Sequence, residues 1–152
     1  LGGNLLTREY PAAPVVGIGA VILDGERVLL IRRGHEPMKG QWSIPGGALE
    51  LGETLVEGVR REVREETGLE VEPLAMIEVF DRIARDAAGR VQFHYVLVDY
   101  LCRVSGGELC CASDATEARW ASRTELDGVA AFTVAVIEQA FEQQLALQQG
   151  VG

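Results

Sequence analysis

Residues 47–69 read "GALELGETLVEGVRREVREETGL". From Thr54 the stretch carries a helix signal at both ends. Thr54 and Glu57 have capping-box spacing, in which a hydroxyl and a carboxylate satisfy the free amides of the first turn. Leu55, Val59 and Val63, with Val56 beside them, form one apolar stripe. Gly68 stands where a helix needs a left-handed terminator. The spacing predicts a helix over 54–67.

Within that helix, positions 60–69 ("RREVREETGL") hold three glutamates and three arginines. Glu62, Glu65 and Glu66 are spaced i, i+3 and i+4, so they fall within about 100° of one another. Their arc overlaps the edge of the apolar stripe, whereas Glu57, Arg60 and Arg64 occupy the solvated side. Two like charges about 6 Å apart repel by roughly 3 kcal/mol at an effective dielectric near 20. Three partly buried carboxylates therefore need protons, arginines or a cation. Mg²⁺ suits such a set, because it is a hard ion that prefers oxygen ligands and bridges carboxylates to phosphates. By itself a glutamate triplet of this kind is also compatible with a charged surface.

Upstream, "VVGIGAVILD" (15–24) and "RVLLIRR" (27–33) read as strands joined at Asp24-Gly25. "GHEPMKGQ" (34–41) is a loop, and "WSIPGGALELGE" begins as a short extended piece broken by Pro45 and Gly46-Gly47. Downstream, "LAMIEVF" (74–80) and "RVQFHYVLVDYLCRV" (90–104) read as long strands around a turn containing Ala88-Gly89. In the second, Phe93, Tyr95, Leu97 and Leu101 share one face and Val96 and Val98 make the other apolar, as expected of a strand buried on both sides. "EARWAS" (117–122) is a short strand, and "TELDGV" after it a short helix or turn. Val134, Ile137, Phe141 and Leu145 mark a terminal amphipathic helix. The sum is a mixed α/β domain with helices on both faces of a sheet, over 14–149, with residues 1–13 as an N-terminal arm.

The chain has 152 residues and a net charge of −9. That balance argues against nucleic acid as a partner, which needs a basic face, and no apolar run spans a bilayer. Without a leader pattern, a cytoplasmic location is the expectation. Cys102, Cys110 and Cys111 are odd in number and lack CxxC spacing, so neither a zinc site nor a disulfide framework is indicated, and idle or buried thiols are expected.

The 23 residues from Gly47 to Leu69 also match a known pattern. Gly47 is followed after five residues by Glu53, and after seven more by Arg61-Glu62, Val63, Arg64, Glu65-Glu66, Thr67, Gly68 and Leu69. This is the full Nudix box, and the chain resembles the Nudix hydrolases. Trp42 and Pro45-Gly46-Gly47 are typical of the residues that precede the box. The resemblance implies an α/β/α sandwich with a mixed sheet. It also implies Mg²⁺- or Mn²⁺-dependent hydrolysis of a nucleoside diphosphate linked to another moiety X, giving a nucleoside monophosphate and X-phosphate.

Carried over residue by residue, the resemblance implies that Glu62 and Glu66 hold the principal cation, with a carbonyl of Gly46. Glu65 takes a second ion or binds through water. Glu53 reaches across to Arg61 and braces the loop against the helix, or adds a ligand. The base is a glutamate of the box or one on a later segment, here Glu117 in "SDATEARWAS", with Asp114 nearby. Phe80, Tyr95 and Phe132 are candidates to stack on a base, and Arg82, Arg85 or Arg90 to meet phosphates. His94 is a half-buried strand residue or a substrate contact.

The look of "DATEARW" is that of the ADP-ribose pyrophosphatase-like branch, so ADP-ribose or a nucleotide sugar is the favoured substrate. Residues 74–152 lack the proline that some ADP-ribose enzymes carry downstream of the box. The alternative is a pyrophosphatase that removes damaged nucleoside triphosphates. A non-catalytic nucleotide sensor is disfavoured, because the box is intact and no basic helix-turn-helix segment is present. The implied partners are a small nucleotide and, from the resemblance, a second copy of the chain in a homodimer.

Overall fold

The computed structural model describes residues 8–34, 39–110 and 115–150. It comprises β1 (Val15–Asp24), β2 (Arg27–Arg33), β3 (Trp42–Ser43), β4 (Gly46–Ala48), α1 (Leu55–Thr67), β5 (Leu69–Arg85), β6 (Val91–Gly107), β7 (Ala115–Ser122) and α2 (Ala131–Gly150). The strands form one mixed sheet in the order β3-β2-β1-β6-β5, with β4 paired to β1 and β7 to β2. β1 runs parallel to β6, while β5 and β6 make a long antiparallel hairpin.

The helix predicted over 54–67 is present with both caps. Thr54 Oγ1 accepts from the Glu57 amide and the Glu57 carboxylate accepts from the Thr54 amide, so the capping box is closed. Gly68 ends the helix at φ 79°, a conformation that a Cβ would strain. The stripe works as expected: Val59 and Val63 are fully buried.

Period-two alternation in β1 then sorts the core into two layers. Ile18, Ala20 and Ile22 pack with Val59, Val63, Val98 and Tyr100 under α1. Val21 and Leu23 pack with Leu101, Val136, Ile137 and Phe141 under α2. The result is the expected α/β/α sandwich. β2 is buried on both faces from Val28 to Ile31, which explains its unbroken apolar run.

Three expectations shift. β5 begins directly after Gly68 and β6 extends to Gly107, because antiparallel pairing carries both strands past the apolar runs that mark them in sequence. β6 is buried only over Val98–Cys102, and Phe93, Tyr95 and Leu97 line a pocket instead of a core. On α2 the buried set is Val136, Ile137, Ala140 and Phe141, while Leu145 is exposed, since the sheet ends before the helix does. "TELDGV" forms turns. Cys102 is buried, and burial pushes its thiol up to about 12. Cys110 is exposed, and Cys111 lies outside the described residues.

Candidate active site

The loop from β3 to β4 and the middle of α1 meet at Gly46-Gly47. The Gly46 amide donates to Glu66 Oε1 at 2.9 Å. A Cβ on Gly47 would come within 2.5 Å of the Glu62 carboxylate, so only glycine lets that backbone lie against the helix. Glu62 is 9% exposed and Glu66 5%. Burial pushes the Glu62 carboxyl above the ordinary range, and the hydrogen bond from Arg61 offsets part of that rise. Glu65, expected to share the sheltered arc, has a side chain 49% exposed, because it lies on the outward flank of the helix.

Arg61 organises the acidic residues. Its guanidinium donates to Glu53 through Nε at 2.5 Å and Nη2 at 2.9 Å, to Glu62 Oε2 at 2.9 Å, to Glu65 Oε1 at 3.1 Å and to the Ala48 carbonyl at 3.1 Å. The two-point contact with Glu53 is a charge-assisted fork. It holds the Glu53 carboxyl below its usual range and Arg61 above its own. Glu53 thus braces the loop against the helix in the manner expected. Gly58 permits this approach, since a Cβ there would press on Ile18, Leu49 and Glu53.

Among the described residues no three acidic side chains converge on one point. Arg61 draws Glu62 and Glu65 to itself, while the Gly46 amide holds Glu66. The donor set is still entirely oxygen, with Glu62 and Glu66 one helical turn apart on the flank that faces the glycine turn. That chemistry suits a hard divalent cation.

The same glycine turn forms one wall of a pocket on the α2 side of the sheet. Gly17 and Gly19 of β1 floor it, Gly46, Gly47 and Ala48 close one side, and Phe80, Arg82, Tyr95, Leu97, Asp99, Phe132 and Thr133 complete it. The floor is open because β1 has glycine where the alternation would otherwise place a side chain. A Cβ on Gly17 would stand 2.6 Å from Leu97, and one on Gly19 would collide with the Asp99 carboxylate. Arg82 lies over the Phe132 ring at 4.0 Å, and Phe80 meets Phe132 edge-on at 6.3 Å. Arg8 and Arg33 add positive charge to the lining.

Phe80, Arg82, Phe132 and Tyr95 are therefore brought together as candidates for substrate contact. His94 is not. It alternates with Phe93 and Tyr95 along β6, so the pleat turns it away from the pocket that they line. Arg85 and Arg90 sit at the far end of the hairpin, bonded to the Gly89 carbonyl and to Asp86 respectively. Glu117 pairs across the sheet with Arg32 at 3.2 Å, has a side chain 54% exposed, and does not line the pocket. Asp114 lies outside the described residues. Sequence reasoning missed Gly17, Gly19 and Asp99. Their signals were two glycines on one face of a strand and a single acid inside the apolar run "YVLVDYLC" (95–102).

Comparison with known proteins gives the family. The model of the NUDIX domain matches residues 13–143. The ADP-ribose pyrophosphatase of Methanocaldococcus jannaschii is 37% identical over 107 residues, covering 70% of this chain and 61% of that protein. The 8-oxo-dGDP phosphatase NUDT18 of Homo sapiens is 34% identical, over 76% of this chain and 37% of its own length. The chain thus spans less than two thirds of either of these relatives. Among solved structures, the MutT NUDIX hydrolase from Burkholderia pseudomallei superposes with a TM-score of 0.74 at 32% identity, covering 84% of this chain and 98% of that one. Box, fold and relatives agree, and the chain belongs to the Nudix hydrolase family.

Proposed function

We propose that the chain is a divalent-cation-dependent pyrophosphohydrolase of a nucleoside diphosphate linked to a second group, with ADP-ribose or a nucleotide sugar as the favoured substrate. One observation carries this reading: Gly46 and Gly47 touch Glu66 and Glu62 on one side and wall the aromatic pocket on the other. A diphosphate bound at the acids would place its nucleoside within reach of Phe80, Arg82 and Phe132.

In this reading Glu62, Glu66 and the Gly46 carbonyl hold Mg²⁺ or Mn²⁺, and Glu65 serves a second ion or a bound water. When bound, the cation neutralises phosphate charge and acidifies a water. Arg61, fixed by Glu53, keeps Glu62 and Glu65 in place between turnovers. Arg8, Arg33 and Arg82 offset the charge of the incoming phosphates in a chain whose net charge is −9. The proton acceptor is a carboxylate of the α1 cluster in preference to Glu117, which is exposed and bound to Arg32.

The name of the archaeal relative supports the ADP-ribose reading. The name of the human relative supports a second one, in which a damaged purine nucleotide fills the same pocket. The homodimer reading is supported by β5, an edge strand among the described residues that exposes Met76, Val79 and Ile83. No described helix is long and apolar enough to cross a membrane, and a cytoplasmic location accords with this reading.

The test is a product assay with Mg²⁺ against ADP-ribose, nucleotide sugars, dinucleoside polyphosphates and oxidised deoxynucleotides. Release of AMP and ribose phosphate from ADP-ribose, abolished by a chelator, is the expected result. Hydrolysis of none of these compounds would overturn the proposal.

A further inference from the structure

Asp99 is 6% exposed, among the most sheltered acids of the described residues, and it lies outside the box. Along β6 the pocket-facing residues run Phe93, Tyr95, Leu97 and Asp99, with exposure falling until Leu101 enters the core. Asp99 is thus the deepest polar group of the pocket. Its carboxyl lies over Gly19, whose missing side chain leaves room for it. Its neighbour across the sheet is Glu78, which accepts from Gln139 at 2.7 Å. Gly19 of β1 lies against it, and Thr133 and Val136 of α2 line the same pocket; no hydrogen bond or ion pair joins its side chain to another described residue.

The residue is sheltered, yet its carboxyl opens into the pocket, where a ligand that displaces water must replace the hydrogen bonds water makes. Asp99 is aimed into a pocket whose walls are otherwise glycine, aliphatic and aromatic. Resting on the reading of that pocket as the nucleoside site, we propose that Asp99 is the specificity-determining residue for the base. Its carboxyl accepts the exocyclic N–H of adenine and donates its own proton to the adjacent ring nitrogen. Burial and the Glu78 charge support the proton-bearing form, pushing this carboxyl up to about 7. A neutral carboxyl offers one donor and one acceptor, which match the amine and ring nitrogen of an amidine edge. A carboxylate would instead accept from two adjacent N–H groups, the pattern of guanine.

Calorimetry with AMP, with the purine monophosphate lacking the 6-amine, and with GMP tests this without turnover. The wild type is expected to bind AMP roughly ten- to a hundredfold more tightly than the amine-free analogue. Asp99→Asn keeps a donor and an acceptor in the same shape and should preserve that ratio within a few fold. Asp99→Leu should reduce it to about one while circular dichroism stays native. The proposal is overturned if Asp99→Leu still discriminates, if Asp99→Asn does not, if GMP outcompetes AMP, or if AMP does not bind the wild type. Failure to hydrolyse any of the compounds assayed above, alongside amine-dependent AMP binding, would sink the enzymatic reading and leave the role of Asp99 standing.

Discussion

Strand β1 has two faces, and they are built on different principles. Toward α1 it presents Ile18, Ala20 and Ile22, which pack under a helix whose acids and Arg61 form a dense charged network. Toward α2 it presents Gly17 and Gly19, and the space they leave becomes an aromatic pocket with the Asp99 carboxyl at its deep end. On the first side charge is met by charge, with Arg61 reaching four acids. On the second a sheltered carboxyl faces the pocket with no partner among the described residues. In the proposed function the first side serves phosphate chemistry and the second recognition, and the Gly46-Gly47 turn touches both.

The contrast is open to direct attack. The largest effect is expected on the charged side. Glu62→Gln should lower Mg²⁺-dependent turnover by about three orders of magnitude with the far-ultraviolet dichroism unchanged, because a buried acid loses the charge a cation needs. Retained turnover would remove Glu62 from the mechanism and, with it, the distinction between the two sides.

A smaller effect is expected from filling the recognition side. Gly19→Ala places a methyl against the Asp99 carboxylate. It should raise KM about tenfold with kcat within a few fold, the mark of lost binding and not of lost chemistry. Steady-state kinetics over a range of substrate concentrations distinguish the two, and a fall in kcat at constant KM would show that the pocket and the acids are not separable.

The two sides should also respond to pH with opposite signs. Arg61 holds Glu53 below its ordinary value of 4.5, so the folded state binds that proton less well than the unfolded chain. The stability from this pair is present above the ordinary value and is lost as pH falls through the lowered one. Asp99 is raised from 3.8 to about 7, so the folded state binds its proton more tightly. Its contribution is full below about 4 and declines as pH rises to about 7, beyond which it is flat. Urea unfolding of Glu53→Gln and Asp99→Asn beside the wild type checks both signs. Slopes of the same sign would refute this account of the two environments.

The smallest effect belongs to Glu117→Gln. It breaks an exposed pair with Arg32, and such pairs contribute less than about 1 kcal/mol. Turnover should barely change. A fall in kcat at unchanged KM would instead identify Glu117 as the proton acceptor and place part of the chemistry outside the α1 cluster.

Much of the charged side was legible in the residues. The capping pair Thr54 and Glu57, the stripe of Val59 and Val63 and the terminator Gly68 are local signals, and the helix follows them, starting at Leu55 because Thr54 is its cap. The brace from Glu53 to Arg61 was also expected, as the resemblance to the Nudix box implies it. The strands of the long hairpin were less well bounded, because pairing, which is non-local, decides where β5 begins and β6 stops. His94 and Tyr95 are adjacent in sequence, yet the pleat gives the pocket only Tyr95.

By itself, then, the order of amino acids determined the helix, its caps, the acidic arc and the family, because all of these rest on spacings within a few turns of chain. Only the tertiary structure decided that Glu65 faces outward, that Glu117 is paired with Arg32, and that Gly17, Gly19 and Asp99 share one pocket. Those facts depend on which face of β1 meets which helix, and on a parallel pairing between strands some 80 positions apart. A pocket is the space between such elements, so no short stretch of sequence contains it.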